Sequence, residues 1–302
     1  LHLSLRRQRQ MCIRDRFKAH PYRWTTIGSM EHLDAAKLDE FQAFFKKFYI
    51  PNNAVLVVAG DFDKAQVKEW VNKYFAHIPK GTPITRTKAQ EAPITQTINA
   101  TFEDPNIQLP MVVAAYRTPD MTTREARALD MLSSVLSGGK SSRMYKKIVD
   151  QDKKALQVAA FNYSQEDYGS YIIYGIPQAP HTSEEVLADV DSEIKRVQTE
   201  LISENEFKKL QNEFENQYVN SNTSAEGVAD NLATYYMLYG DANLINTEID
   251  IYRKITREEI REVAKKYLNP NQRLVLNYVP AKEKAQNLSL IHISEPTRRT
   301  PI

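Results

Sequence analysis

A chain of 302 residues, 42% apolar and 10% aromatic, has the material for about two domains with ordinary cores, and no run in it approaches the ~18–20 apolar residues of a membrane helix. The net charge of +2 belongs to the ends. Residues 1–16 carry five Arg against one Asp and residues 288–302 two Arg against one Glu, which leaves −3 for the middle, with none of the basic patches that a nucleic-acid face requires.

The ends also read as foreign. Met11-Cys12-Ile13-Arg14-Asp15-Arg16 and the stretch from Leu288 to Arg299 resemble translated sequencing adapters, so 1–16 is set aside as a non-native tail and 282–302 as largely non-native. Cys12 goes with the first tail. Residues 17–287 hold no cysteine, which excludes disulfides and thiolate metal sites there and suits an exported protein.

In chain order, His20-Pro21-Tyr22-Arg23-Trp24 reads as an aromatic loop packed onto a core. From Asp34, a plausible cap, Leu38, Phe41, Phe45 and Phe48 follow helical spacing. A buried strand is expected at 54–59. Gly60-Asp61 then turns the chain into a helix opening near Asp63, with Val67, Trp70, Val71 and Tyr74 on its inner face. Residues 81–96, rich in Thr, Pro, Lys and Gln without periodicity, read as a linker. Strands follow near 97–103 and 109–117. A capping box, Thr122 with Glu125, opens a helix that ends at Gly138-Gly139. A short helix at 141–151 leads to paired strands at 155–163 and 168–177, and further boxes at Thr182/Glu185, Ser203/Glu206 and Thr256/Glu259 punctuate a helical stretch before a strand near 273–279. Strands and helices grouped in this way predict an α+β fold, a sheet with helices on one face.

Chemistry-bearing motifs are scarce. The chain has no Gly-x-Ser-x-Gly elbow, no GxGxxG, no GxxxxGK[ST] and no two His four apart on a helix. Gly28-Ser29-Met30-Glu31-His32 has the Glu-His ending of an HxxEH motif but glycine where the first ligand should stand, so Glu31 and His32 read as polar residues approaching a helix. Arg143, Tyr145, Lys146 and Lys147 read as a solvated basic helix face, Tyr235, Tyr236 and Tyr239 as helix packing. The Asn-x-Ser/Thr patterns at Asn99, Asn162 and Asn222 receive no role.

One block occurs twice. Asp39-Glu40-Phe41 through Phe48-Tyr49-Ile50-Pro51-Asn52 and the strand-like Ala54–Val58 match Glu258-Glu259-Ile260 through Tyr267-Leu268-Asn269-Pro270-Asn271 and Leu274–Leu276 without a gap, at an offset of 219 positions. That is the size of a domain, not of a solenoid unit. The second block has well over a hundred residues before it from about Thr97, the first only 36 before Lys37, so the first copy is expected to lack its front.

Together, His20-Pro21-Tyr22 with Thr26-Ile27-Gly28-Ser29, the ending Phe48-Tyr49-Ile50-Pro51-Asn52-Asn53, Val57-Val58-Ala59-Gly60-Asp61 and Leu136-Ser137-Gly138-Gly139-Lys140-Ser141-Ser142-Arg143-Met144-Tyr145 resemble the insulinase-like M16 metallopeptidases over roughly 17–281. The resemblance implies two homologous α+β domains of the LuxS and mitochondrial-processing-peptidase type, each a mixed sheet with helices on one face. Residues 17–80 would be the back of a truncated first domain, 81–96 the linker and 97–281 a complete second domain that binds no zinc. It also implies a zinc held by HxxEH and a downstream Glu in an intact parent that hydrolyses peptides between its two domains. Both parts would precede His20, so no catalytic, cofactor or metal residue is expected in this chain. The family's substrate-orienting Arg and, seven residues on, Tyr fall on Val149 and Leu156, neither of which can bind a peptide carbonyl through its side chain. A homodimeric or heterodimeric M16 partner would then supply that pair, in a bacterial periplasm. The alternative is a non-catalytic structural subunit, as in respiratory core complexes, and HxxEH in the native upstream sequence would decide between the two.

Overall fold

The computed structural model describes residues 17–24 and 28–281; the adapter-like ends and Thr26 and Ile27 of the quoted motif lie outside the described residues. After a 3-10 turn at Pro21–Arg23 come α1 (Met30–Ala35), α2 (Leu38–Phe48), a second 3-10 turn at Pro51–Asn53 and α3 (Lys64–Phe75). An extended stretch leads to β1 (Ile98–Asp104), β2 (Met111–Thr118), α4 (Arg124–Ser137), a π-helical turn at Tyr145–Gln151, β3 (Ala155–Tyr163) and β4 (Gly169–Pro177). Then follow α5 (Ser183–Thr199), α6 (Glu204–Ser221), α7 (Ala225–Thr234), a second π-helical turn at Tyr235–Tyr239, α8 (Leu244–Arg253), α9 (Arg257–Tyr267) and β5 (Arg273–Pro280).

The five strands form one mixed sheet in the order β1-β5-β2-β4-β3, antiparallel except for the parallel pair β1–β5. Its strands stand where the sequence places them. Side chains alternate across a strand, so β2 sends Val112, Ala114 and Tyr116 to one face and Met111, Val113 and Ala115 to the other, and β4 divides Tyr171 and Ile173 from Ile172 and Ile176 in the same way. Against the first face pack Leu129, Leu132 and Leu136 of α4, Val186, Val190 and Ile194 of α5, and Ile260 and Val263 of α9. Each fully buried leucine contributes roughly 1.5–3 kcal/mol from area removed from water. The helices lie on one face, as expected. The opposite face is buried as well, with Leu274, Leu276 and Tyr278 of β5 inside it.

Helix starts are set by caps. Thr182, Ser203 and Thr256 each accept the N3 backbone N–H and receive Glu185, Glu206 and Glu259 in return, as the sequence predicts. Two expected caps move. The α4 cap is Thr123, which accepts from the Ala126 N–H, while Glu125 leaves any box to meet Lys266 and Tyr267 on α9. Asp34 lies inside α1, and the chain restarts at Lys37, whose N–H donates to the Glu40 carboxylate at 2.8 Å.

The repeated block is reproduced in local structure. Both α2 and α9 have 11 residues, begin with a backbone N–H bonded to Glu40 or Glu259 and run into a 3-10 turn at Pro51 or Pro270. Their surroundings differ completely. Ile260 and Leu268 are 0% exposed, whereas their counterparts Phe41 and Tyr49 are 57% and 67% exposed. The strand expected at 54–59 does not form, because among the described residues nothing pairs with it as β1 and β2 pair with β5. For the same reason the expected inner face of α3 is open, with Trp70 and Tyr74 exposed and Val67 and Val71 half-buried.

Candidate functional site

The segment 138–156 concentrates the backbone irregularities of the sheet domain. Gly138 caps α4, and Gly139 sits at φ +83, a left-handed conformation that glycine adopts without the steric penalty of a Cβ. The Ser142 hydroxyl donates back to the Gly139 carbonyl at 2.7 Å and fixes this turn. The chain then enters Tyr145–Gln151, where the Asp152 N–H reaches the Lys147 carbonyl five residues back, so the helix expected at 141–151 is a shorter π turn. Lys153 at φ +52 reverses the chain, and Lys154 is held on Asp189 at 2.8 Å. At the start of β3 the register slips between Ala155 and Gln157, which makes Leu156 a bulge residue without a partner on β4.

Val149 and Leu156 therefore flank one tight turn. Val149 packs against the helical core, while Leu156 is half exposed on an edge strand. Neither carries a group that could orient a carbonyl; what this corner offers a ligand is apolar contact and the backbone of a bulged edge. Further along, the edge is capped at Ala160, where the Ser137 hydroxyl donates to the carbonyl at 2.8 Å and accepts the N–H at 2.7 Å.

Arg143 corrects the expected basic face. Its side chain is 9% exposed and makes two parallel 3.1 Å bonds to Glu206; with the Ser203 N–H these outweigh burial, which pushes the carboxyl up, and hold it down at about 2. Lys146 and Lys147 are the solvated ones. Beside them lies a groove of about 240 Å³ between α4 and α6, lined by Ser134, Gly138, Ser141, Lys146, Glu206 and Lys209.

A second polar cluster holds segment 17–24. The Glu91 Oε1 atom accepts the N–H groups of Lys18, Ala19 and His20 at 2.9, 2.7 and 2.6 Å, and Oε2 lies 3.5 Å from Arg117. Burial alone pushes this carboxyl up, but the three donors and Arg117 outweigh it and hold it below its ordinary value. His20, 3% exposed, pairs its Nε2 with Asp167 at 3.1 Å and meets Tyr22 and Tyr168 edge-on. The loop packs as expected at His20 and the buried Phe17, but Trp24 stays more than half exposed.

A third cluster lies under α8. Asp130 accepts from Asn162 at 2.9 Å and Tyr252 at 3.1 Å, and burial pushes its carboxyl up to about 6. Beside it Arg127 and Glu248 form a buried pair at 3.1 Å, with the Tyr239 ring over the guanidinium. Tyr235 and Tyr239 pack inward as expected; Tyr236 is exposed. Glu91, Asp167, Asp130 and Glu248 had no signal in the sequence, since each is a single carboxylate without a motif around it.

Glu31 and His32 lie exposed on α1, and among the described residues no three His, Cys, Asp or Glu side chains are grouped so as to hold a metal ion. The described residues thus do not fit a zinc site. Nor is any described helix long and apolar enough to cross a membrane.

The Zinc protease PqqE of Helicobacter pylori is 25% identical over 222 residues, 72% of this chain and 49% of that protein. The chain thus spans about half the length of this curated relative. The crystal structure of a protease from Helicobacter pylori superposes with a TM-score of 0.80 at 20% identity, covering 92% of this chain and 71% of that one. The periplasmic protease PqqL from Escherichia coli does so with a TM-score of 0.59 at 18% identity, covering 73% of this chain and 24% of that one. At these identities the superpositions establish the fold, a mixed sheet with helices of the M16 kind. Residues 35–214 match the family described as the Peptidase M16 inactive domain, more than half of the chain, and to that family the chain belongs.

Proposed function

We propose that this chain is the non-catalytic wall of an M16-type zinc endopeptidase, with 17–80 the back of a first domain, 81–96 a linker and 97–281 the complete second domain. In the intact parent, peptides would be hydrolysed between the two homologous domains. The observation that carries the reading is the unequal fate of the repeated block. α9 is sealed between α4, α5 and the sheet, while the same face of α2 carries Phe41, Phe44, Phe45 and Tyr49 into solvent along a groove of about 840 Å³. Surface of this kind is normally covered. What covers α9 gives the chemistry of the cover for α2: a sheet with two helices, equivalent to 97–199.

No hydrolytic step is assigned to residues of this chain. Their part is to bind and enclose, through the bulged edge at Leu156 and the corner at Val149. A different M16 chain in a heterodimer would supply the Arg and Tyr that these positions lack, since a second copy of this chain repeats Val149 and Leu156. The naming of PqqE as a zinc protease supports zinc in the parent, and the periplasmic PqqL supports export. A non-catalytic structural subunit remains the second reading, favoured by Val149 and Leu156 themselves.

The test is a peptidase assay on unfolded peptides with added zinc, first alone and then mixed with a separate polypeptide bearing the HxxEH half of a first domain and with an M16 partner chain that carries the Arg and Tyr. The expected result is no metal-dependent hydrolysis alone and hydrolysis on mixing. Hydrolysis by this chain alone, above a zinc-free control, overturns the wall assignment; an upstream native sequence without HxxEH overturns the peptidase reading in favour of the structural one.

A further inference from the structure

We propose that residues 17–24 are a latch that locks residues 28–80 and the linker against the sheet domain, with Glu91 as its anchor. The inference is independent of the proposed function.

Three observations meet. First, residues 29–80 are tied to the linker by the paired Asn52–Gly81 hydrogen bonds and meet 17–24 through the His32 ring against Trp24, while 17–24 and the linker carry the bonds to the sheet domain. Second, those links fall on two places, Arg117 of β2, whose guanidinium donates to the Ala92 carbonyl at 2.6 Å, and the turn between β3 and β4. Glu166 pairs with Arg86 at 2.5 Å, Asp167 pairs with His20 and lies 4.0 Å from Lys88, the Asp167 N–H donates to the Tyr22 hydroxyl, and the Tyr168 hydroxyl accepts the Glu91 N–H at 3.2 Å. Third, Glu91 is built for holding rather than for solubility. A linker glutamate would ordinarily point to water, yet its side chain is 3% exposed and one oxygen gathers three consecutive backbone N–H groups.

The arrangement has the parts of a lock. Phe17 gives it an apolar bolt against Tyr168, with Tyr22 edge-on behind it, and also lies under Arg117. Glu91 holds the backbone of the strap without reading its side chains, so it fixes position. Charge-assisted bonds to backbone N–H groups are about twice as strong as neutral ones, and a buried carboxylate with its donors removed is costly, so the strap is held closed. Residues 81–96 contain no helix or strand, so with the anchor gone the linker is left to side-chain links such as Arg86 to Glu166, Lys88 to Asp167 and Arg117 to the Ala92 carbonyl.

The experiment uses the full chain with Glu91→Ala, read by amide exchange and by spin labels at Lys64→Cys and Lys208→Cys in a Cys12→Ser background. Expected are exchange about tenfold or more faster at 18–22 and in 86–92, unchanged exchange in the strands of 97–281, and a broadened label-to-label distance distribution. Glu91→Gln, which keeps an acceptor oxygen but loses the charge facing Arg117, should give an intermediate result and serves if Glu91→Ala does not fold. Unchanged exchange at 18–22 with an unchanged distance distribution overturns the latch. So does an equal rise in exchange throughout 97–281, which would make Glu91 part of the sheet domain's own stability.

Discussion

Asp130 shows how a single side chain sets a stability profile. Its folded pKa of about 6 lies above the unfolded value near 3.8, so the folded chain binds the proton more tightly. The sign follows: its contribution is most favourable below pH ~4, declines as the pH rises through the window from about 4 to 6, and is a penalty above it. Asp130→Asn removes the charge and keeps the shape beside Asn162 and Tyr252. It should raise stability at pH 7 by about 1–2 kcal/mol and by nothing at pH 4, as read from urea midpoints at the two values. Equal effects at both would mean that the carboxylate is not what burial penalises. Glu206 behaves oppositely. Held at about 2 first by the Arg143 bonds, it contributes stability that is present above pH ~4.5 and lost as the pH falls towards 2. Arg143→Ala should therefore cost about 1 kcal/mol at pH 7, the surface-facing side of Glu206 screening the rest, and flatten the acid limb of the profile. None of this was legible in the sequence. Ser203/Glu206 was readable as a capping box because its partners are three residues apart, whereas Arg143 and Glu206 are brought together only by the fold.

At the scale of elements the sequence was readable wherever local chemistry decides. The five strands, three capping boxes and the equality of α2 and α9 all follow from periodicity and caps, which need no knowledge of neighbours. Burial was not readable, because it belongs to the partner. The periodicity that correctly gives a helix at 38–48 says nothing of whether Phe41 meets a sheet or water, and Ala54–Val58 has the composition of a strand without the two neighbours that β5 has. The π turn at 145–151 and the bulge at Leu156 also escaped, since both depend on how the chain is forced around Lys153. The consequence is measurable. Ile260→Ala, in the sealed copy, should cost about 2–4 kcal/mol, while Phe41→Ala, its counterpart, should cost under about 1 kcal/mol despite removing the larger side chain. If the two costs are equal in urea unfolding, α2 is buried in solution and the contrast between the copies is lost.

For the molecule as a whole, stability must be uneven, because it follows the density of buried apolar contact. Residues 97–281 contain two cores on the two faces of one sheet; residues 28–80 contain helices whose aromatic side chains face outward, with Ile50 their one buried hydrophobic residue. Chymotrypsin offers a direct reading, since Phe41, Phe44, Phe45, Tyr49, Trp70 and Tyr74 are all exposed cleavage positions, whereas in 97–281 Tyr116, Tyr171 and Tyr278 are fully buried and the exposed Tyr163 and Tyr236 are held in a strand and a π-helical turn. Under native conditions cleavage should begin within 38–75 and leave a product spanning about 97–281 that keeps its fold, because a protease cuts what opens at low free energy. The latch adds an order to these events. With Glu91 intact, tryptic cuts at Arg86 and Lys88 should follow those at Lys46, Lys47, Lys64 and Lys73; with Glu91→Ala, the linker cuts should come as early as the first ones. Loss of 97–281 before 28–80 would contradict both the distribution of core and the reading of 97–281 as a complete domain.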